Sequence, residues 1–216
     1  PDVNLQRLTS RRSLLEKFDN SVRYLESSAA VTDLKHHKQE AFQLLTSSKT
    51  RKAFDLSQEP EKVRNLYGRN LFGSCMLTAR RLVEAGTRFI GVTTESQING
   101  GIGAGQWDTH GNNFELLKNF NLPTLDQNYS ALITDLEQRG LLDSTLVIVM
   151  GEMGRTPKVK PNGGRDHWTQ CGFILLTGGG VKRGMVYGES DNQGGWPIDG
   201  PVSSADYVAT IYQLLG

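Results

Sequence analysis

Two apolar runs, TLVIVM at 145–150 and GFILLT at 172–177, constrain the fold more than anything else in the chain. Both are strand-length and nearly continuous rather than alternating, a pattern that predicts strands covered on both faces, as in a parallel sheet. RFIGVTT at 88–94 reads as a third strand, and VYGE at 186–189 as a short strand or turn. Helical patterns fill the intervals. Leu14, Leu15, Phe18, Val22 and Leu25 predict an amphipathic helix over 10–28 behind an N-capping Ser10, and a second helix covers 33–46. Residues 47–60 read as a connection closed by Pro60, with at most a short helical turn. Residues 69–85 predict a helix stopped by Gly86, and 113–139 another, with Pro123 as a break or restart and Gly140 as its end. A final capped helix opens at Ser204. The alternation predicts an α/β fold, a mainly parallel sheet with helices on both faces.

At 216 residues the chain is long enough for one sizeable core. The reading is one domain, with a helical N-terminal segment over 1–64 packing on an α/β core over 65–216. Lys and Arg number 24 against 23 Asp and Glu, so charge balance points to no nucleic-acid partner. No apolar stretch approaches the roughly 20 residues of a membrane span, and the mean hydropathy of −0.41 is ordinary for a water-soluble chain. Cys75 and Cys171 are too few for a disulfide framework and read as buried thiols, with a single disulfide open to an exported protein.

Ligand-type residues gather in three polar segments at predicted strand ends: WDTHGNN at 107–113, GEMGRTP at 151–157 and GRDHW at 164–168. In open parallel sheets that is where ligands bind. Asp108 and His110, two apart, can turn to one side of an extended loop. A carboxylate with neutral imidazoles suits zinc first, with manganese or calcium as alternatives, and His167 can add a third ligand while leaving a position open. Glu152, emerging directly behind the apolar run, is a fourth candidate, and Asp166 either joins the metal or orients an imidazole. Arg155 and Arg165 can grip a tetrahedral anion beside the metal, with Asn112 and Thr156 as weaker donors. His36 and His37 sit in an ordinary solvated helix. Against this reading, Asp-x-His alone is commonly a loop-capping pattern, and Glu152 with Arg155 can be a simple ion pair.

YGRNLFGSCMLTARRLVEAGTRFI, WDTHGNN, LVIVMGEMGRTP, GRDHW and GGGVKRGMVYGESD, in that order, resemble a bacterial family of unknown function described as sulfatase-like, itself similar to the alkaline phosphatase and sulfatase superfamily. The resemblance runs from about residue 65 to the end. It implies that Asp108, His110 and His167 hold one metal. Glu152 then stands where a second metal takes an aspartate, and Met153 where it takes a histidine. No superfamily nucleophile motif is present, so the resemblance implies an incomplete, C-terminal part of that fold. It also implies export of the parent protein to the periplasm or cell envelope. The functional expectation is a metal-dependent hydrolase of small-molecule or glycan sulfate or phosphate esters. A non-catalytic binding or cell-envelope interaction protein that retains a degenerate hydrolase fold is the alternative.

Overall fold

The computed structural model describes residues 5–22, 29–93 and 107–215, and its contacts divide the chain after Asp55 into two units. In the first unit, α1 (Leu5–Val22), α2 (Ala29–Thr46) and α3 (Ser48–Ala53) follow one another. Helix α1 begins upstream of Ser10, whose hydroxyl donates back to the Gln6 carbonyl at 2.9 Å, the local bond a mid-helix serine makes. The expected continuation over 23–28 lies outside the described residues. The Arg12 guanidinium stands 4.4 Å from the centre of the Phe42 ring and joins α1 to α2 by a cation–π contact. Ser47 caps α3, its hydroxyl accepting from the Lys49 and Thr50 amides at 3.2 and 3.4 Å. The expected connection over 47–60 therefore contains a helix.

The second unit is built on α4 (Glu61–Tyr67), α5 (Leu71–Glu84) and α7 (Leu122–Gln138). Helix α5 starts where Asn70 Oδ1 accepts from the Gly73 amide at 2.8 Å, and the chain turns away at Gly86 with φ of 91°. Its buried Leu77 meets Tyr67 of α4, Ala131, Leu132 and Leu136 of α7, and Leu142 in the core. Each leucine so buried contributes on the order of 1.5–3 kcal/mol. Ahead of α7, α6 (Asn113–Leu116) passes into a single π turn over Leu117–Asn121. Pro123 has no N–H for the carbonyl one turn back, so the α ladder cannot run through this stretch unaltered.

One charged network crosses this helical core. The Arg80 side chain is 1% exposed and faces Glu59 and Asp135 at 2.7 and 2.9 Å, with Glu84 beside it. Both distances are within hydrogen-bonding range, so Arg80 meets the two carboxylates as close charge-assisted contacts. Tyr67 donates to Asp135 Oδ2 at 3.0 Å, and Arg139 reaches Asp135 and Glu84, each at 2.7 Å. Burial acts to raise the Glu59 carboxyl, but Arg80 and Arg81 outweigh it and hold it below its usual value.

The parallel α/β expectation is overturned. The described residues are mostly helical, and their strands occur only as short antiparallel pairs. TLVIVM and GFILLT do contain strands, β1 (Val147–Met150) and β4 (Ile174–Thr177), but these pair antiparallel with Val147 opposite Thr177 and Met150 opposite Ile174. A parallel pair needs a crossover, usually helical. Residues 151–173 instead hold turns and the small antiparallel pair β2 (Gly154–Arg155) and β3 (His167–Trp168), so the chain folds back. Nor are both faces covered, since Met150, Ile174 and Leu175 are exposed. Residues 88–93 form no strand and Phe89 is exposed; Thr94 and the loop expected over 95–106 lie outside the described residues. A third pair, β5 (Glu189–Ser190) with β6 (Pro197–Asp199), precedes α8 (Ser204–Leu215). Cys75 and Cys171 are free, and half-buried rather than buried. Among the described residues no helix is long and apolar enough to cross a membrane.

Candidate metal centre

Residues 107–113 lie against the β2–β3 hairpin, and backbone bonds hold the two together. The Arg165 amide donates to the Thr109 carbonyl at 3.2 Å, and the Asn112 and Asn113 amides donate to the carbonyls of Asn162 and Gly163 at 3.1 and 3.0 Å. Thr109 is buried and its hydroxyl bonds Asn113 Oδ1, so its neighbours Asp108 and His110 are left on the exposed side, as a two-residue spacing requires. Asn112 takes the left-handed conformation, φ 48°, that asparagine tolerates, and turns the chain into α6. Gly164 admits this approach, because a Cβ there would fall 1.9 Å from the His110 carbonyl oxygen.

Across the contact, His167 Nε2 lies 2.8 Å from Asp108 Oδ1, His110 Nε2 lies 3.0 Å from the same oxygen, and the two nitrogens are 3.3 Å apart. Each of the three side chains is roughly half exposed. Asp108, His110 and His167 form a cluster that could hold a metal ion. Arg155 Nη2 also reaches Asp108 Oδ1, at 2.6 Å. The His167 hydrogen bond, then Arg155, pulls the Asp108 carboxyl down to about 2, so it is an anion at neutral pH.

The other expected residues are placed differently. Asp166 stands behind the cluster, its Oδ1 at 2.7 Å from His110 Nδ1 and 2.6 Å from Lys160 Nζ. Lys160 and then His110 lower its carboxyl pKa. Glu152 is exposed on the bend after β1 and is not among the three gathered ligands. Arg165 spends its guanidinium on the carbonyls of Thr156 and Arg155, at 2.6 and 3.4 Å, and Thr156 Oγ1 accepts from the Asp166 amide at 3.1 Å. Both hold the hairpin together. Asn112 is exposed. Two residues were missed in the sequence, Lys160 and Asn162, whose Nδ2 donates to the His110 carbonyl at 3.1 Å. The PNGG turn between Lys160 and Arg165 was the available signal, since it predicts a reversal that returns Asp166 beside Lys160.

A family model described as "Protein of unknown function (DUF1501)" matches residues 1–216. The chain belongs to the DUF1501 family. No curated protein and no solved structure matches this DUF1501 member. The resemblance to the alkaline phosphatase and sulfatase superfamily is thereby corrected: the family found has no assigned function, and the antiparallel pairs are not that superfamily's parallel sheet. What this DUF1501 chain retains of the expectation is local, the three ligand side chains around one point.

Proposed function

We propose that this chain is a metal-dependent hydrolase domain acting on sulfate or phosphate esters, with Asp108, His110 and His167 as its metal ligands. The convergence of three donor atoms from two separate segments carries the reading. One carboxylate and two imidazoles suit zinc, whereas manganese prefers a richer oxygen set and calcium takes 6–8 oxygen ligands. Three protein ligands on an exposed surface leave room for a further group. A zinc-class ion so held supplies a Lewis acid and lowers the pKa of water. The chain's own residues do the rest. Asp108 remains ionised with Arg155 paired to it, and Asp166, itself paired with Lys160, orients His110. The direct test is zinc titration of the wild type against a His110→Ala, His167→Ala double variant, followed by assay of aryl sulfates and phosphates. Equal zinc binding by both proteins rules the centre out.

A second reading, a binding domain without turnover, is favoured by one observation. Arg155 and Arg165, the expected anion grips, are already committed to Asp108 and to backbone carbonyls. Metal-dependent release of the aryl product would exclude it.

A further inference from the structure

We infer that Lys160 is a positioning residue of the metal centre: it holds the Asp166 carboxylate against Nδ1 of His110, so that Nε2 presents its lone pair toward Asp108 and His167. The inference rests on the metal reading above. Its geometric basis is one oxygen with two partners, since Asp166 Oδ1 lies 2.6 Å from Lys160 Nζ and 2.7 Å from His110 Nδ1. Asp166 Oδ1 at 2.7 Å from Nδ1 and Asp108 Oδ1 at 3.0 Å from Nε2 can both only accept, and the single proton of a neutral ring goes to the shorter contact, so that in the neutral ring Nδ1 carries it and Nε2 is left bare. That is the tautomer a ligand through Nε2 requires.

The Asp166 backbone is pinned without any help from Lys160. Its amide donates to Thr156 Oγ1 at 3.1 Å and its carbonyl accepts from the Thr156 amide at 2.9 Å. What remains free is the carboxylate torsion, and that side chain is half exposed. Water competes there with His110 for the oxygen, and the Lys160 ammonium tips the balance. Lysine suits the task as a compact charge aimed at one atom. Lys160 is itself fixed, its amide donating to the Gly164 carbonyl and its carbonyl accepting from the Gly163 amide, both at 2.9 Å. The same turn carries Asn162, which grips the His110 carbonyl. The turn over 160–164 thus holds His110 at two points, by its backbone through Asn162 and by its ring through Lys160 and Asp166. If Lys160 were only a surface partner of Asp166, its loss would loosen the turn and leave the imidazole tautomer unchanged.

The test compares the wild type with Lys160→Met and Lys160→Arg. Nitrogen NMR of labelled histidine on metal-free protein, above the histidine titration range, reads the His110 tautomer; chelator competition reads zinc affinity; thermal melting checks the fold. Expected are an Nδ1–H tautomer in the wild type, a mixture with Nε2–H in Lys160→Met, zinc binding weakened by about 10-fold, and partial recovery in Lys160→Arg. An unchanged tautomer and unchanged affinity in Lys160→Met overturn the inference while the metal reading stands. A wild type that binds no zinc overturns the metal reading and this inference with it.

Discussion

Nε2 of His110 and Nε2 of His167 stand 3.3 Å apart, and Asp108 Oδ1 lies within 3.0 Å of both. Ligands at about 2.0–2.1 Å from one tetrahedral zinc are separated by roughly 3.3–3.4 Å, so the nitrogen pair already has the edge length of such a site. Arg155 supplies positive charge to the same oxygen. Zinc binding must therefore compete with that guanidinium for Asp108.

Removing the competitor gives the first prediction. Arg155→Met should bind zinc at least as tightly as the wild type. His167→Ala should lose more than the roughly 10–100-fold that supporting residues of metal ligands typically cost. Chelator competition measures both, and a weaker Arg155→Met would show that the arginine supports the ion.

Gly164→Ala places a methyl 1.9 Å from the His110 carbonyl oxygen, a backbone atom that cannot swing aside. The clash should cost about 1–3 kcal/mol and fall on the junction that carries the ligands. Zinc affinity should drop while the helical signal of the core persists. Loss of both in circular dichroism would place the strain elsewhere.

The buried network predicts a contrast between two arginines. Arg80→Met leaves Glu59, Glu84 and Asp135 facing one another without their central cation and should cost about 3–5 kcal/mol. Arg183 pairs with Glu137 and Asp143 on an open surface, so Arg183→Ala should change stability by about 1 kcal/mol or less. Denaturant midpoints separate the cases, and similar losses would refute the burial argument.

Acid should act on the same network. The Glu59 carboxyl is held below its usual value near 4.5 in the folded chain. A depressed carboxyl stabilises the fold above its unfolded pKa, and that contribution disappears as pH falls through the lower, folded value. Melting temperature should therefore hold above that usual value and decline below it, with a shallower decline in Glu59→Gln. Parallel acid profiles for the two proteins would remove Glu59 as a cause.

Much of this was legible in local patterns. The stops at Gly86 and Gly140, the strands within TLVIVM and GFILLT, and the shared side of Asp108 and His110 follow from periods and turn chemistry that a few neighbouring residues set. Strand direction did not, because an apolar run carries no arrow; only the connection decides it, and residues 151–173 lack the crossover helix. Arg80 was opaque for a related reason. Its partners Glu59 and Asp135 lie on other segments, and a charged residue within a helix reads as solvated until its neighbours are known. Glu152, a plausible ligand type behind an apolar strand, stands on an exposed bend and is not among the three gathered ligands, a placement that an apolar run alone does not set.

The histidine and aspartate of one segment meet the histidine of another nearly sixty positions later. An ion shared between them would be a removable staple, added to the backbone bonds that already join the two segments and withdrawn by a chelator. Stability would then track supply: at 100 times the dissociation constant, free ion adds about 2.7 kcal/mol to a fold that alone binds it. Such a chain carries a gauge of its metal surroundings in its own melting point.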